Sequence, residues 1–343
     1  MRNRALGRCT AAAIVAVMLL GLCTAIAAAQ GSRELVVYVT FHENEAKRLF
    51  SLFEKETGIK VKYLALATGQ AVARVEAEAA SPQADIFLGA GAENHEAMKM
   101  KGLLAKYVSP EAAKIPAAFK DKDGYWTGIY LGPVAIIVNK DRFDAECKPK
   151  NVPMPQTWKD LLRPEFKDEV VMPDPQLSST GYTFLASYLQ KYGEAEGWAF
   201  FEQLDKNVNH YTKKGLAPAQ LVATGEFLVG INFLHDQLLM QKAGFNVEIV
   251  VPKGAGWEIG SVSIIKGGPN PENAKKFVDF VVGQKAQQLH TDLTMRIPTR
   301  PDVELPPGVK PLSEMDIFEG FDVIKAAADK ANLLSIWSKK FAR

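Results

Sequence analysis

The sequence predicts an α/β protein of two lobes joined by a hinge of crossing strands. Between residues 35 and 98, apolar β-branched runs alternate with helical patterns in the order β-α-β-α-β, which is typical of a parallel sheet covered by helices. A long extended run at 124–140 is what a chain passing between two lobes would show. Strands at 248–267 and an amphipathic helix at 272–289 then return the chain to the first lobe.

The first lobe is predicted from compact strands and periodic helices. LVVYVTF at 35–41 is a buried strand. Apolar residues then recur at helical spacing, and Gly58 ends that helix. Strands at 59–66 and 84–88 follow, each leading through a small-residue turn into another helix.

The second lobe has its own strands and helices. EVVMPDP and LVGINFL are predicted strands, and YTFLASYLQKYG and EGWAFFEQLDKN are predicted helices. TWKDLLRPEF is predicted as a short helix. The helix ENAKKFVDFVVGQKAQQL places its apolar residues on one face.

The N-terminus has the layout of a secretory signal. Arg2, Arg4 and Arg8 precede an apolar run, and Ala27-Ala28-Ala29 offers a cleavage site before Gln30. A lipoprotein site at Cys23 is the less favoured alternative, because Leu22 stands where a small residue is needed. The predicted organisation is a signal peptide at 1–29, lobe 1 at 30–127 plus 261–310, lobe 2 at 128–260, and a C-terminal helical segment at 311–343.

Charge and cysteine content restrict the function classes. The chain has 41 Lys and Arg against 39 Asp and Glu, and loss of the three signal arginines leaves 38 against 39, a net charge of −1. This balance gives no electrostatic case for nucleic acid or membrane binding. Cys147 would be the single cysteine left, so no internal disulfide forms. A neutral, exported, disulfide-free chain of this length suggests a bacterial periplasm.

No catalytic, metal or cofactor motif is present. The sequence lacks G-x-S-x-G, H-E-x-x-H, a Walker A loop and a paired C-x-x-C. No two histidines stand at metal-ligand spacing. A secreted phosphate-ester hydrolase would need a nucleophile or a metal cluster, and neither is indicated. We therefore expect a protein that is not an enzyme and that has no cofactor and no metal.

Three polar turns stand where predicted strands lead into helices. They are 179–182 (STGY), 68–70 (TGQ) and 89–91 (GAG). In open α/β sheets, ligands bind at the carboxyl ends of strands, where helix N-termini favour anions. On sequence alone a plain helix cap is favoured for 179–182 and is as good an explanation as a ligand for 68–70. For 89–91 a tight strand-to-helix turn is the favoured alternative. Three such turns at strand ends in both lobes favour an anion-binding cleft more strongly than any single turn does.

The chain resembles bacterial extracellular solute-binding proteins, the periplasmic components of ABC importers, in the subgroup related to ferric-ion-binding proteins. The resemblance rests on ELVVYVTFHENEAKRLFSLFEKETGIKV, PQADIFLGAG, AKKFVDFVVGQKAQQL and IPTRPDV, and covers nearly the whole chain beyond the signal. It implies two α/β lobes, a ligand in the cleft between them, an inner-membrane permease as partner, and no catalysis. A monomer is expected.

The iron-binding members of this subgroup use a histidine, a glutamate and two adjacent tyrosines. His42 fits the first position, but Ala90 stands at the glutamate position and Leu234 and His235 stand at the tyrosine positions. Ferric iron prefers hard anionic oxygen ligands. The resemblance therefore favours an anion over iron, with iron plus a synergistic anion, or a phosphonate, as alternatives.

The sequence is similar to the branch that binds hexose phosphates, in which a His-Asp pair and a later Glu bind sugar hydroxyls. His235-Asp236 and Glu258 match that spacing, and carboxylates suit sugars because each oxygen accepts from hydroxyls. Two sets of ligand-binding residues follow. The phosphate set is Thr68, Gly69, Gln70, Gly89, Ala90, Ser179, Thr180, Gly181 and Tyr182. The sugar set is His42, His235, Asp236 and Glu258.

Four further residues stay open as ligand contacts. For Lys213 and Lys214 a solvated loop is the favoured role. For Trp126, and for aromatic residues generally, core packing is favoured. Trp257 is the aromatic best placed to stack on a sugar, because glycines surround it in GAGWEIG.

Overall fold

The computed structural model describes residues 33–341 and has two lobes built on one continuous, curled sheet. Across the sheet the strands follow one another in the order 60–65, 34–39, 86–91, 257–265, 127–139, 229–233, 170–173 and 208–212. The predicted signal peptide lies outside the described residues. Among residues 33–341 no helix is both long and apolar enough to cross a membrane.

Lobe 1 is built on parallel strands at one end of the sheet. β1 pairs in parallel with β2 and with β3, and β10 runs antiparallel to β3. Its strands are β1 (Glu34–Val39), β2 (Lys60–Ala65), β3 (Ile86–Gly91) and β4 (Leu104–Ala105). Its helices in this part are α1 (Glu43–Thr57), α2 (Thr68–Ala77) and α3 (Ala92–Met100).

Lobe 2 occupies the other end of the sheet. β6 pairs in parallel with β7 and β8, while β8 and β9 run antiparallel to β5. Its strands are β6 (Val170–Pro173), β7 (Val208–Thr212), β8 (Val229–Phe233) and β9 (Val247–Val250). Its helices are α4 (Lys140–Glu146), α5 (Ser179–Tyr192), α6 (Glu194–Leu204), α7 (Ala217–Ala223) and α8 (Leu234–Lys242).

Two long strands, β5 (Thr127–Asn139) and β10 (Trp257–Ile265), run through the junction of the lobes. Along β5, residues 127–133 pair with β10, and residues 134–139 pair with β8 and β9 in lobe 2. All of β5 is buried. The predicted crossing strands are therefore present, and the predicted lobe boundaries at 127/128 and 260/261 both fall inside them.

After β10 the chain first covers lobe 1 and then turns to lobe 2. Helices α9 (Pro271–Val282) and α10 (Gln284–Thr294) precede the short strand β11 (Ile297–Pro298), which pairs with β5. The last helix, α11 (Val323–Phe341), packs Leu333, Trp337 and Phe341 into the aromatic core of lobe 2. It also packs against α3 of lobe 1. The C-terminal segment thus touches both lobes.

Helix α1 shows why the sequence pattern predicts lobe 1. Leu49 and Phe53 lie one turn apart on its buried face and join the core with Phe277 of α9. The helix ends at Gly58, whose φ of 70° lies in the left-handed region that favours glycine.

Three local predictions were wrong. TWKDLLRPEF forms two 3-10 turns instead of a helix, since Pro164 removes a backbone donor between them. The predicted helix at 272–289 is broken at Gly283 into α9 and α10. Strand β3 runs on through Gly91, so the expected turn at 89–91 is an irregular strand end, where Ala90 has a φ of 61°.

Candidate ligand-binding cleft

A cleft of about 1180 Å³ opens where the two lobes face each other. Its walls come from residues that follow β1, β2 and β3 in lobe 1 and β6, β7 and β8 in lobe 2. Of the predicted site residues, Thr68, Ala90, Ser179, Thr180, His42, His235, Asp236 and Glu258 line it. The structure therefore brings together eight residues that are scattered along the sequence.

Five helices begin at this cleft without a side-chain cap. They are α1, α2, α5, α7 and α8, whose N-cap residues are His42, Ala67, Ser178, Leu216 and Phe233. In α5 the first N–H to reach an intrahelical acceptor is that of Tyr182, which donates to the carbonyl of Ser178. The cap interpretation of 179–182 therefore has no side-chain hydrogen bond behind it. Free N–H groups and aligned helix dipoles favour a negative charge at this end of the cleft.

The Ser179 hydroxyl is already occupied by the other lobe. Its oxygen accepts from the Gly91 N–H at 2.8 Å and from Asn94 Nδ2 at 3.2 Å, and its proton is donated to Glu93 Oε1 at 3.2 Å. Glu93 also accepts from Thr183 of α5. Ser179 thus ties α5 to the end of β3 and the start of α3, which leaves only its backbone N–H for a ligand.

Ser178 and Thr180 have free hydroxyls at the same place. Both line the cleft, and among residues 33–341 neither hydroxyl has a hydrogen-bond partner. A Cβ at Gly215 would lie 2.2 Å from Thr180 Oγ1, so glycine is required where the loop after β7 passes this side chain. These two hydroxyls are available to a ligand where that of Ser179 is not.

The other predicted phosphate residues do not line the cleft. Gly69 donates its N–H to the Leu177 carbonyl across the lobes at 3.1 Å, and Gln70 follows it on α2. Gly89 packs beneath Phe41, since a Cβ there would lie 2.7 Å from that ring. Gly181 and Tyr182 face the interior of lobe 2, where the Tyr182 hydroxyl donates to the Ala326 carbonyl of α11.

The predicted sugar residues form one buried polar group. His42 Nε2 of lobe 1 lies 3.1 Å from Asp236 Oδ1 of lobe 2. His235, Asp236 and Glu258 are each at most 3% exposed. These side chains come from opposite lobes, so the group is assembled by the approach of the lobes.

Sequence reasoning missed Arg296, Glu45 and His290, which lie beside this group. Arg296 donates through Nε and NH2 to the two oxygens of Glu45, at 3.2 and 3.4 Å, and His290 also contacts Glu45. One signal was available: Glu45 falls one turn before Leu49, on the apolar face of α1. A charged residue on a buried face indicates a buried partner.

Burial and neighbouring charge set the protonation of the site. Burial and the Arg296 guanidinium lower the pKa of His235 to about 3. Burial acts to raise the pKa of Asp236, but His235, His42 and Arg296 outweigh it and lower that pKa to about 2. Burial raises the pKa of Glu258 well above its usual value, and Arg296 offsets this only in part. These shifts favour the neutral imidazole of His235, the carboxylate form of Asp236 and the protonated form of Glu258.

Of the four residues whose role the sequence left open, the two lysines line the cleft and the two tryptophans do not. Lys213 and Lys214 line the cleft from the loop after β7, with exposed side chains, so that loop is part of the cleft wall. Trp126 and Trp257 belong to an apolar cluster beside it and donate to Glu96 and to the Phe318 carbonyl, respectively. In the part of the chain that the structure describes, no group of three or more His, Cys, Asp or Glu side chains is placed to hold a metal ion.

Similarity to known proteins identifies the family of this chain. The family of bacterial extracellular solute-binding proteins matches residues 81–317, more than half of the chain. The chain belongs to the bacterial extracellular solute-binding proteins. This solute-binding protein is the periplasmic component of an ABC importer, and it binds its solute without catalysis. The two-lobed fold and the family resemblance predicted from the sequence are confirmed.

Three relatives bear on the ligand of this solute-binding protein. One is the periplasmic binding protein AfuA from Actinobacillus pleuropneumoniae, whose structure was solved with fructose-6-phosphate bound. Its sequence is 32% identical to this one, and the two structures superpose with a TM-score of 0.86 over 91% of this chain and 99% of that chain. A ferric binding protein from Campylobacter jejuni is 26% identical, with a TM-score of 0.75 and coverage of 89% and 99%. A putative 2-aminoethylphosphonate-binding periplasmic protein of Salmonella typhimurium is 28% identical over 74% of each chain.

Proposed function

We propose that the protein binds a hexose phosphate in the cleft and presents it to an inner-membrane permease. The observation that carries this proposal is the division of the cleft into two chemistries. One part has uncapped helix N-termini and free hydroxyls, and the other has a buried His-Asp-Glu group. A phosphorylated sugar has a matching anionic end and hydroxyl-bearing end.

The phosphate would lie at the N-terminus of α5. The backbone N–H groups of its first turn and the hydroxyls of Ser178 and Thr180 are donors without hydrogen-bond partners among the described residues. Thr68 at the start of α2 faces them from lobe 1, and Lys213 and Lys214 add positive charge at the rim. Donors from both lobes on one anion would favour the closed arrangement of the lobes.

The sugar would lie against His235, Asp236 and Glu258. A hydroxyl group both donates and accepts, so it can serve a carboxylate acceptor and an imidazole N–H donor together. The Asp236 carboxylate would repel a second phosphate placed at this end, which selects a ligand with one anionic terminus. The 32% identity to a protein with bound fructose-6-phosphate supports this choice.

A phosphonate with an ammonium group is the second candidate, because the 28% identical relative is described as a putative binder of one. An ammonium would suit the Asp236 carboxylate. The His42 imidazole already lies 3.1 Å from Asp236 Oδ1, and Arg296 NH1 places a positive charge 3.9 Å from Glu258 Oε1. This charge balance disfavours a cationic ligand group. For ferric iron, the place of the two tyrosines is taken by Leu234 and His235.

Thermal unfolding with a panel of solutes tests the proposal. A ligand that binds only the folded state at 100 times its Kd adds about 2.7 kcal/mol of stability. We expect fructose 6-phosphate or glucose 6-phosphate to raise the Tm, and fructose, glucose and inorganic phosphate to have little effect at the same concentration. A Tm rise with 2-aminoethylphosphonate, and none with any hexose phosphate, would refute the proposal.

A further inference from the structure

Arg296 is held rigidly at the base of the buried polar group. Two of its nitrogens donate to the two oxygens of Glu45 on α1. Its guanidinium lies 3.9 Å from the centroid of the Tyr130 ring on β5, and the side chain is 3% exposed. A planar cation with a bidentate partner on one side and an aromatic ring on its face has one available orientation.

The third nitrogen of this guanidinium determines where His235 carries its proton. Arg296 NH1 lies 2.9 Å from His235 Nε2. An arginine has five N–H donors and no acceptor, so Nε2 accepts in this contact, while the Asp236 Oδ1 acceptor lies farther from Nε2, at 3.5 Å. The single proton of the neutral imidazole is then on Nδ1. An imidazolium would place an N–H against an N–H beside a second cation.

We propose that Arg296 is a positioning residue that fixes His235 as the Nδ1–H tautomer, and that this tautomer is the form that donates to a ligand hydroxyl. The inference rests on the proposed function for the nature of the ligand group. The tautomer itself follows from the contact between Arg296 and His235, whichever solute binds.

The surroundings of Nδ1 fit a donor that awaits a ligand. His235 Nδ1 is buried and has no hydrogen-bond partner among residues 33–341. The point where a Cβ of Gly132 would stand lies 2.7 Å from Nδ1 and 3.6 Å from Glu258 Oε1. The absence of that Cβ leaves room between the imidazole and the carboxyl group. In the opposite tautomer, Nδ1 would direct a lone pair into this space and would offer nothing to a hydroxyl oxygen.

The contact also couples the tautomer to the lobes. Glu45 belongs to α1 of lobe 1, whereas His235 stands at the start of α8 in lobe 2. The contact between Arg296 and His235 therefore connects the two lobes. The approach of the lobes then also fixes the Nδ1–H tautomer of His235. The donor to the ligand hydroxyl is therefore in place when the cleft closes.

Nitrogen-15 NMR of histidine-labelled protein tests this, because the shifts of Nδ1 and Nε2 distinguish the two tautomers. The His235 signal is identified by its loss in H235N. We expect the Nδ1–H tautomer in the wild type, and a shift toward Nε2–H in R296M together with about tenfold weaker fructose 6-phosphate binding. If R296M fails to fold because Glu45 is left unpaired, E45M/R296M removes both charges and serves in its place.

R300M is the matched control, since Arg300 is also a buried, ion-paired arginine but bonds Glu111 and Asp302 away from the cleft. It should change neither the tautomer nor the affinity. A second control uses H235N, whose amide carries a donor near the place of Nδ1 without needing a tautomer. In that background R296M should cost less than about threefold in affinity.

An unchanged His235 tautomer in the Arg296 variants would overturn the inference, as would an equal loss of affinity in R300M. If the wild type shows the Nδ1–H tautomer but does not bind fructose 6-phosphate, the proposed function fails while the tautomer assignment stands.

Discussion

At the scale of single residues, neighbouring hydroxyls at the start of α5 have different roles. The Ser179 hydroxyl accepts two hydrogen bonds from lobe 1 and donates one to it, whereas the Thr180 hydroxyl has no protein partner among the described residues. The sequence STGY does not reveal this difference, because it depends on which side chain of the first turn meets Gly91 and Glu93. Ligand contact and lobe contact are therefore separable by mutation.

Thr180→Val should weaken hexose phosphate binding by about fivefold to tenfold, since one hydrogen bond to a charged group is lost. The free energy of unfolding should change little. Ser179→Ala should instead lower that free energy by about 1–3 kcal/mol, because the Gly91 N–H and Glu93 lose a partner in a buried place. Isothermal titration and urea unfolding of both variants measure the two effects. Equal loss of stability in both would return Thr180 to a structural role.

His95 predicts a pH dependence of stability. Its nitrogens contact Ser263 Oγ and the Gly89 carbonyl, and burial lowers its pKa to about 4. The unfolded chain, with a histidine pKa of about 6.5, binds the extra proton first, so stability falls as the pH drops from about 6.5 toward 4. The expected slope is up to about 1.4 kcal/mol per pH unit for one such histidine. His235 acts in the same direction.

His95→Gln removes this contribution and keeps a polar side chain. Its unfolding free energy should therefore vary less between pH 6.5 and 4 than that of the wild type, by urea unfolding at several pH values. Identical slopes would mean that His95 is not neutral in the fold. His210 is the matched control, because it is exposed and H210Q should leave the slope unchanged.

Several residues named from the sequence line the cleft, but the charged residues beside them were missed. His42, His235, Asp236 and Glu258 could be named because they match motif positions of the family that the sequence resembles. Arg296 and His290 could not, since they reach the cleft through the fold of the chain after α9. A buried ion pair between Glu45 and Arg296 joins residues 251 positions apart, and local patterns do not report such pairs.

At the scale of elements, the start of α2 makes a direct contact with lobe 2. The Gly69 N–H donates to the Leu177 carbonyl, and a Cβ at Gly69 would lie 2.4 Å from the Gln176 carbonyl oxygen. The backbones of the two lobes therefore approach more closely than a side chain allows. This gives a reason for glycine here, where the sequence suggested a phosphate contact.

Gly69→Ala should hinder approach of the lobes without harming either lobe. We expect at least about tenfold weaker ligand binding, and a radius of gyration that no longer decreases on adding hexose phosphate in small-angle X-ray scattering. Gln70→Ala is a control on the same helix, since Gln70 does not line the cleft. Wild-type compaction in G69A would show that the contact tolerates a methyl group.

Periodicity predicted the elements that have one apolar face, such as α1 and α9, and β-branched runs predicted β1 and β8. It failed at 157–166, where short 3-10 turns satisfy the same apolar spacing as a helix. It also missed the break at Gly283, because the apolar face continues across it. The conformation of Ala90 has no local signal at all, as its positive φ is held by the packing of the strand end.

At the scale of the whole molecule, α11 joins the lobes at the side of α3. Lys330 donates to Asn94 and lies near the buried carboxyl group of Glu93, while Trp337 and Phe341 fill the core of lobe 2. Burial lowers the pKa of Lys330 to about 8, with Glu93 acting in the opposite direction. The last helix therefore packs into the core of lobe 2, and its Lys330 contacts polar residues of lobe 1.

Trp337→Ala should lower the free energy of unfolding by about 3–5 kcal/mol, the usual cost of truncating a large buried aromatic residue. Lys339→Ala, two residues along the same helix and exposed, should change it by less than about 0.5 kcal/mol. Chemical unfolding of both variants measures these changes in the free energy of unfolding. A small effect of W337A would mean that lobe 2 is stable without its last helix.

The place of α11 has a consequence for how the protein is made. A core that needs residues 333–341 cannot be completed while the C-terminus is still being synthesised or threaded through a membrane. Lobe 2 would then stay loosely folded until the end of the chain is available. The position of one helix in the sequence thus sets when the core of lobe 2 can be completed.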